Sequence, residues 1–350
     1  MSNKAIQVST DNATWYTLPG NTGSYTDELN MTKDTVFGQT FESQQPTIGQ
    51  WNIQANGIFK GIVGYNLDIY KGGTATATTA EACSLVSGKT YQVTNAAHRV
   101  MDYNTAITVL GNAVAIAASN IQSIDYNTGT VTFIAAYTPV TPITMTYSYI
   151  PMTLAAKAKN VKLNLTQTVI DITSYDIAQT NSGFRSFVPG LRSVSLEISN
   201  IFAASNAYET LLQGRSYVMI DIDLNGDTYT VFRGFFKLAK RMQSGNQGEV
   251  EAETVSAQLW VPPGALVQFP ANWYITGSST LSPAIQTILN SWSNQTTIYA
   301  RYLPSGAPGQ TPLDGQTGTV IPIECSLDNS IDGLSTFNFN LRGTLAPTAV

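Results

Sequence analysis

The sequence has little charge. Its 350 residues include 18 Lys and Arg and 23 Asp and Glu, together 12% of the chain, where an average globular protein has about 25%. The two most basic stretches, 157–162 and 237–241, are short. Counterion release on nucleic acid needs many phosphate contacts, so tight nucleic-acid binding is excluded. His98 is the single histidine, and it gives no Ser/His/Asp or Cys/His pair. Cys83 and Cys325 are far apart without metal-ligand spacing, which reads as two reduced thiols. No apolar run approaches the ~20 residues of a membrane span, so no membrane anchor is expected. Met1-Ser2-Asn3-Lys4 runs into a strand-like stretch with no apolar leader, which implies a soluble protein made in a cytoplasm.

Site chemistry is equally sparse. Asp221-Ile222-Asp223-Leu224-Asn225-Gly226-Asp227 opens like a calcium loop, but the bidentate Glu required at the twelfth position is replaced by Phe232. Glu251 and Glu253 share a strand face, where a wetted sheet surface accounts for them better than an acid/base pair. Phosphate-cradling glycine loops, zinc spacings and dinucleotide fingerprints are lacking. The expectation is a non-enzyme without cofactor or metal.

Strand periodicity fills the space that chemistry leaves. Val194, Leu196 and Ile198 alternate with Ser193, Ser195, Glu197 and Ser199, as a half-buried strand requires. Trp51, Ile53 and Ala55 alternate with Asn52, Gln54 and Asn56. Phe337, Phe339 and Leu341 alternate with Asn338, Asn340 and Arg342. Residues 217–232 read as a hairpin turning on Asn225-Gly226; a two-residue turn sets Tyr229 opposite Ile222 and Val231 opposite Ile220. Two helices are predicted, at 204–213 before Gly214 and at 283–291 with Ser282 as cap and Pro283 in the first turn. Residues 76–155 differ in texture, with strands near 107–110, 131–134 and 143–149 and turns on Asp102-Tyr103-Asn104 and on 125–129. They read as a small, separate, sandwich-like β-domain.

The remaining elements repeat. The predicted helix segment 207–212 matches 284–289, and each helix is followed by strands led by Gly234 and Gly318. The strand 194–202 aligns without a gap with 51–59, keeping inward and outward faces in phase. The first copy is thus split across 1–75 and 263–350, with 76–155 and the second copy, 156–262, inserted between.

With Thr173, Gly183, Pro189 and Gly190 ahead of 193–198, and with Asp332-Gly333-Leu334-Ser335-Thr336-Phe337, Leu341 and Gly343 near the end, the chain resembles the tail tube proteins of long-tailed bacteriophages over roughly 20–75 and 156–345. The resemblance implies two β-barrel-like sandwich domains, each with one flanking helix. It also implies edge-to-edge pairing of copies into a ring around a pore, and stacking of rings into a tube that conducts DNA. A chain carrying the fold twice would close a ring with three copies. Its partners would be further copies of itself, the tape measure, terminator and hub proteins of the tail, and viral DNA passing without specific binding. It would assemble in the bacterial cytoplasm and end in the virion. Residues 76–155 would project outward or cement rings, and loops near 20–46 and 172–187 would stack them. The lumen candidates are Asn52, Gln54, Asn56, Ser193, Ser195, Glu197, Glu251, Glu253, Asn338 and Asn340. A hub or terminator on the same fold, or a glycan-binding adhesin using Trp51, Trp260 and Trp273, are the alternatives.

Overall fold

The structure, a computed structural model, describes residues 4–33, 44–58, 67–174, 183–202, 217–223, 230–244, 252–260, 271–273, 282–307, 315–330 and 336–350. It is mainly β. In chain order the strands are β1 (Ala5–Ser9), β2 (Tyr16–Thr17), β3 (Gly20–Lys33), β4 (Gln44–Ile58), β5 (Leu67–Gly72), β6 (Thr76–Ser87), β7 (Thr90–Val93), β8 (Thr108–Gly111), β9 (Val114–Ala115), β10 (Ile121–Asp125), β11 (Thr130–Phe133), β12 (Ile143–Tyr149), β13 (Met152–Asp171), β14 (Phe187–Phe202), β15 (Tyr217–Asp223), β16 (Thr230–Ser244), β17 (Ala252–Leu259) and β18 (Ala271–Trp273). After helix α1 (Pro283–Asn294) come β19 (Ile298–Leu303), β20 (Gln316–Ser330), β21 (Thr336–Gly343) and β22 (Thr348–Ala349). The chain divides into two compact units, residues 1–61, 162–194 and 277–350 in one and 62–161 and 195–276 in the other.

In the first unit, antiparallel pairing runs β3, β4, β21, β20, β19, β1, β2, and β20 also takes β13 as a neighbour. The alternation read from the sequence sets the faces. Trp51, Ile53, Ala55, Phe337, Phe339, Leu341, Cys325, Leu163 and Leu165 are all buried. Their strand neighbours Gln54, Asn56 and Asn338 are exposed. The Trp51 indole donates to the Leu345 carbonyl at 2.6 Å, which satisfies the one polar atom of a ring that is 1% exposed.

Helix α1 covers this core with Ala284, Ile285, Ile288, Leu289 and Trp292, the spacing of one helical face. Ser282 caps it by accepting from the Ile285 amide, and Gln295 closes it in the left-handed conformation at φ 53°. The Arg192 guanidinium lies 5.6 Å from the Trp292 ring centre and donates to the carbonyls of Trp292 and Ser293. A cation placed there complements the negative end of the helix dipole. The other predicted helix, 204–213, and the Asn225-Gly226 turn lie outside the described residues.

In the second unit the pairing runs β14, β17, β16, β15, β5, β13. Its registers follow those of the first unit. Phe236, Lys240 and Ser244 stand opposite Leu259, Ser256 and Ala252. At the same chain displacement, Val320, Glu324 and Asp328 stand opposite Gly343, Asn340 and Thr336. Both ladders break register at the corresponding place, between Leu238 and Lys240 and between Pro322 and Glu324. Likewise Ile198 pairs with Val255 where Ala55 pairs with Phe339.

Two expectations are corrected. Residues 20–33 are a strand paired along β4, where a loop was expected over 20–46. Thr22, Ser24 and Thr26 give this edge strand one fully polar face, and its other face carries no long apolar run, so the strand period is muted. The hairpin at 217–232 pairs Ile222 with Phe232 and Ile220 with Gly234, in place of Tyr229 and Val231, and it shifts register between Ile222 and Asp223. That register brings Phe232 and Phe236, both buried, onto the face of Val218 and Ile220.

Residues 76–149 form their own sheet in the order β10, β11, β7, β6, β12, β8, β9. Strand β6 serves both halves, pairing β12 through 76–82 and β7 through 83–87. Tyr91, Val93, Met101, Val109, Val131, Phe133, Ile143, Met145 and Tyr147 make the core. The two predicted Asp turns are present: Asp102 and Asp125 accept from the amides of Asn104 and Asn127. Gly129 has φ +64°, and a Cβ there would lie 2.9 Å from Arg99 backbone atoms. Within the second unit this sheet is docked. Val100 and Ile150 share a buried cluster with Met219 and Phe235, and Tyr103 packs 4.2 Å from Trp260 and 5.3 Å from Tyr217. Strands β15 at 218–220 and β16 at 234–236 are therefore buried on both faces.

A Cβ on Gly343 would lie 2.1 Å from the Trp51 ring. Gly343→Ala is expected to lower stability by about 1–3 kcal/mol through overpacking, read as a lower denaturation midpoint. Tyr103→Ala is expected to speed hydrogen exchange at the Met101 and Asp102 amides, which donate to Tyr126 and Ser148. Exchange at Phe339 and Leu341 should not change.

Candidate functional site

The residues with the clearest common placement are the polar ones on the outward face of the first unit's sheet. The ladder register lines them up in rows. Thr22, Asn56 and Asn338 form one row, Ser24, Gln54 and Asn340 the next, and Thr26, Asn52 and Arg342 the third. On β20 the same rows continue with Ser326 opposite Asn338 and Glu324 opposite Asn340. On β13, Asn164 accepts a hydrogen bond on its side-chain oxygen from the Ser326 hydroxyl at 3.0 Å. Side chains on directly opposed strands stand close enough to touch, so these Thr, Ser, Asn and Gln residues form one continuous hydrogen-bonding surface.

One end of this face is open. There a polar groove of about 410 Å³ is lined by Thr22, Asn56, Lys162, Ser326, Asp328 and Asn338, among others. The opposite end is covered. Gly49 exchanges backbone hydrogen bonds with the segment around Phe184, at 2.8 Å to the Gly183 carbonyl and 2.9 Å from the Arg185 amide. Arg342 sits 5.5 Å from the Phe187 ring and donates to Gln50 at 2.7 Å, and Gln50 donates in turn to Glu28 at 3.0 Å. Burial pulls the Arg342 pKa below its ordinary value, with Glu28 opposing that shift. It remains a cation at neutral pH. Arg185 and Asp171 pair at 3.0 Å beside it.

Of the ten sequence candidates, Gln54, Asn56 and Asn338 lie fully on the open part. Asn52 and Asn340 belong to the same rows but are half-buried, with a side-chain oxygen enclosed. Ser193 lies on β14 and is bonded to Thr166 at 2.6 Å. Ser195 and Glu197 face outward in the second unit, opposite Gln258 and Ser256. Glu253 on β17 stands opposite Gln243 of β16, and Glu251 lies outside the described residues. Sequence reasoning missed Thr22, Ser24, Thr26, Lys162, Asn164, Ser326 and Asp328. The even spacing of Ser and Thr from Thr22 to Thr26 was the available signal.

The charges on the face nearly cancel. Glu28, Glu324 and Asp328 oppose Lys162 and Arg342, and the rest is neutral amide and hydroxyl. Such a surface hydrates well and offers no cluster of cations to a polyanion.

Elsewhere, His98 Nδ1 lies 3.2 Å from a Glu81 oxygen, and its ring stacks on Tyr149 at 3.8 Å. Burial pushes the neighbouring Cys83 thiol up to about 12, with help from the charge of Glu81. Trp51 is consumed by packing, and Trp260 is half-buried against Tyr103 and Tyr217. No protein-family model matches the chain, and no curated protein matches it in sequence.

Because Gln54 and Asn338 point into solvent, Gln54→Lys and Asn338→Lys are expected to leave unfolding free energy within about 0.5 kcal/mol of the parent. Chemical denaturation checks this, and a loss of several kcal/mol would place these side chains in a packed interior.

Proposed function

We propose that this chain is a structural subunit of a bacteriophage tail tube, assembling as stacked rings around a lumen that conducts DNA. The observation that carries the reading is a strand-pairing scheme found twice. Strands β1, β19, β20, β21 and β4 pair in series as β5, β15, β16, β17 and β14 do, with a shared bulge, and β3 flanks β4 as β13 flanks β14; β13 also pairs β5, a contact that β3 and β1 do not make among the described residues. On this reading the tube fold is written twice. The first copy is then carried by β1, β3, β4 and β19 to β21, and the second by β14 to β17 with β13 and with β5, which the sequence bounds of 1–75, 76–155, 156–262 and 263–350 had assigned to the first. Three chains then supply six tube folds to a ring.

The polar face fits the wall of such a lumen. Duplex DNA carries about one charge per 1.7 Å, and a conduit must pass it without holding it. Neutral amides and hydroxyls with balanced charges hydrate the wall and leave the phosphates no purchase. Asn52, Gln54, Asn56, Ser193, Ser195, Glu197, Asn338 and Asn340 are the proposed lining, with Glu251 and Glu253 on the closing strand of the second copy. Tape measure, terminator and hub proteins are the proposed partners, and the virion tail the proposed location.

Negative-stain microscopy of the purified full chain tests this, together with the mass of single particles. Hollow tubes, or rings with the mass of three chains, are the expected result. Unstacked rings would transfer the reading to a hub or terminator, and monomers at every concentration would overturn it.

A further inference from the structure

The ring reading leaves open which edges join one chain to the next, and two strand edges in this structure answer that question. In the first unit β19 pairs β20 only as far as Val320, while β21 holds the other edge from Val320 to Asp328. Beyond Val320 the edge that β19 leaves is taken by β13. In the second unit β15 pairs β16 only as far as Lys237, and β17 holds the other edge from Phe236 to Ser244. Among the described residues, nothing takes the corresponding edge of β16 beyond Lys237. The counterpart of β13 is β3, the neighbour of β4, and its outer edge has no strand partner among the described residues either. A strand 14 residues long with an open edge is a template for another chain. Leu29 and Met31 on β3, and Met242 on β16, are each more than half exposed.

We propose that β16 of one copy pairs with β3 of a second copy in the way that β20 pairs with β13 within one chain. The register follows from that template. Asn164 is bonded to Ser326, and Lys162 lines one groove with Asp328, so the partners run in opposite directions and Thr166 falls beside Glu324. Ser193 holds Thr166 as Gln50 holds Glu28, and Glu324 occupies in β20 the bulge position of Lys240 in β16. Transferred to two chains, the contact sets Lys240 of one copy beside Glu28 of the next, with Met242 beside Thr26.

The charges make the junction selective. Inside the chain an acidic strand, carrying Glu324 and Asp328, meets Lys162 of β13. Between chains the polarity is reversed: Lys240 of β16 meets Glu28 of β3. Of the wrong combinations, β20 with β3 would set Glu324 against Glu28, and β16 with β13 would leave Lys240 facing Thr166 and Lys162 facing Ser244 with no opposite charge, so both lose to the charge-paired arrangement. A head-to-tail contact of this kind generates a closed ring or an open helix. This inference rests on the ring reading but can fail separately from it.

The test uses the full chain and two edge variants, Asp27→Lys/Glu28→Lys and Lys240→Glu/Arg241→Glu, followed by mass photometry across concentration. Each variant alone should need at least about tenfold more protein to assemble than the parent. The chain carrying all four substitutions should recover, and the two variants mixed one to one should associate with each other. Pairing on mixing also shows that each variant is folded; in a three-chain ring one junction of any mixture stays mismatched, so mixing restores pairs and only the fourfold variant restores closed rings. If both variants assemble like the parent, the proposed edges are wrong while the rings stand. If assembly is lost and neither combination restores it, the charge pairing is overturned. A parent chain that stays monomeric overturns this inference and the ring reading together.

Discussion

A bulge adds a residue to one strand and none to its partner, so every side chain beyond it changes face relative to an unbulged ladder. Two long ladders in this protein carry that extra residue at the same point. One consequence is that both keep an apolar face and a polar face along their whole length. Lys240 and Glu324 would otherwise turn inward with Phe236 and Val320. The position of helix α1, the burial of Trp51 and the unbroken rows of Asn, Gln, Ser and Thr all depend on this phase being held.

Much of the fold was legible because the signals were local. The alternation at 51–56, 194–199 and 337–342 named the core face of β4, β14 and β21. Ser282 and Pro283 named the start of α1. The gapless match of 51–59 to 194–202 is the alignment that the hydrogen-bond registers of β4 and β14 also give. Strand β3 was hidden because an edge strand with one polar face buries too little to show a period. The register of β15 and β16 was misread for a related reason. A minimal turn looked sufficient from one face, but both faces are covered at 218–220 and 234–236, so apolar residues appear at successive positions such as Val218, Met219 and Ile220. Half of the candidate site was invisible for a third reason: a sheet surface is assembled from strands distant in sequence, and no local pattern joins Lys162 or Asp328 to Asn56.

In the proposed tube, the polar face and the proposed junction edges would make different demands on the same strands. A conduit wall has to be chemically bland, whereas a junction has to discriminate. Few charged residues are available, and those of β3, β13, β16 and β20 fall on or beside strand edges, while the centre of the face at Gln54, Asn56 and Asn338 is uncharged. A low charge content is then compatible with the proposed assembly, in which a few charges placed at edges would determine pairing.

The docked sheet of residues 76–149 has a consequence for the history of the chain. Phe235 is buried beneath it, but the matching position in the other ladder is Thr319, which is half exposed. Met219 is buried there as well, while its counterpart Tyr299 is half exposed. Once a covering element is present, polar residues below it can drift to apolar ones at no cost to solubility. After that drift, losing the cover would leave a sticky surface. The docked sheet is then hard to dispense with: removing it would bare Phe235 and Met219 and favour aggregation.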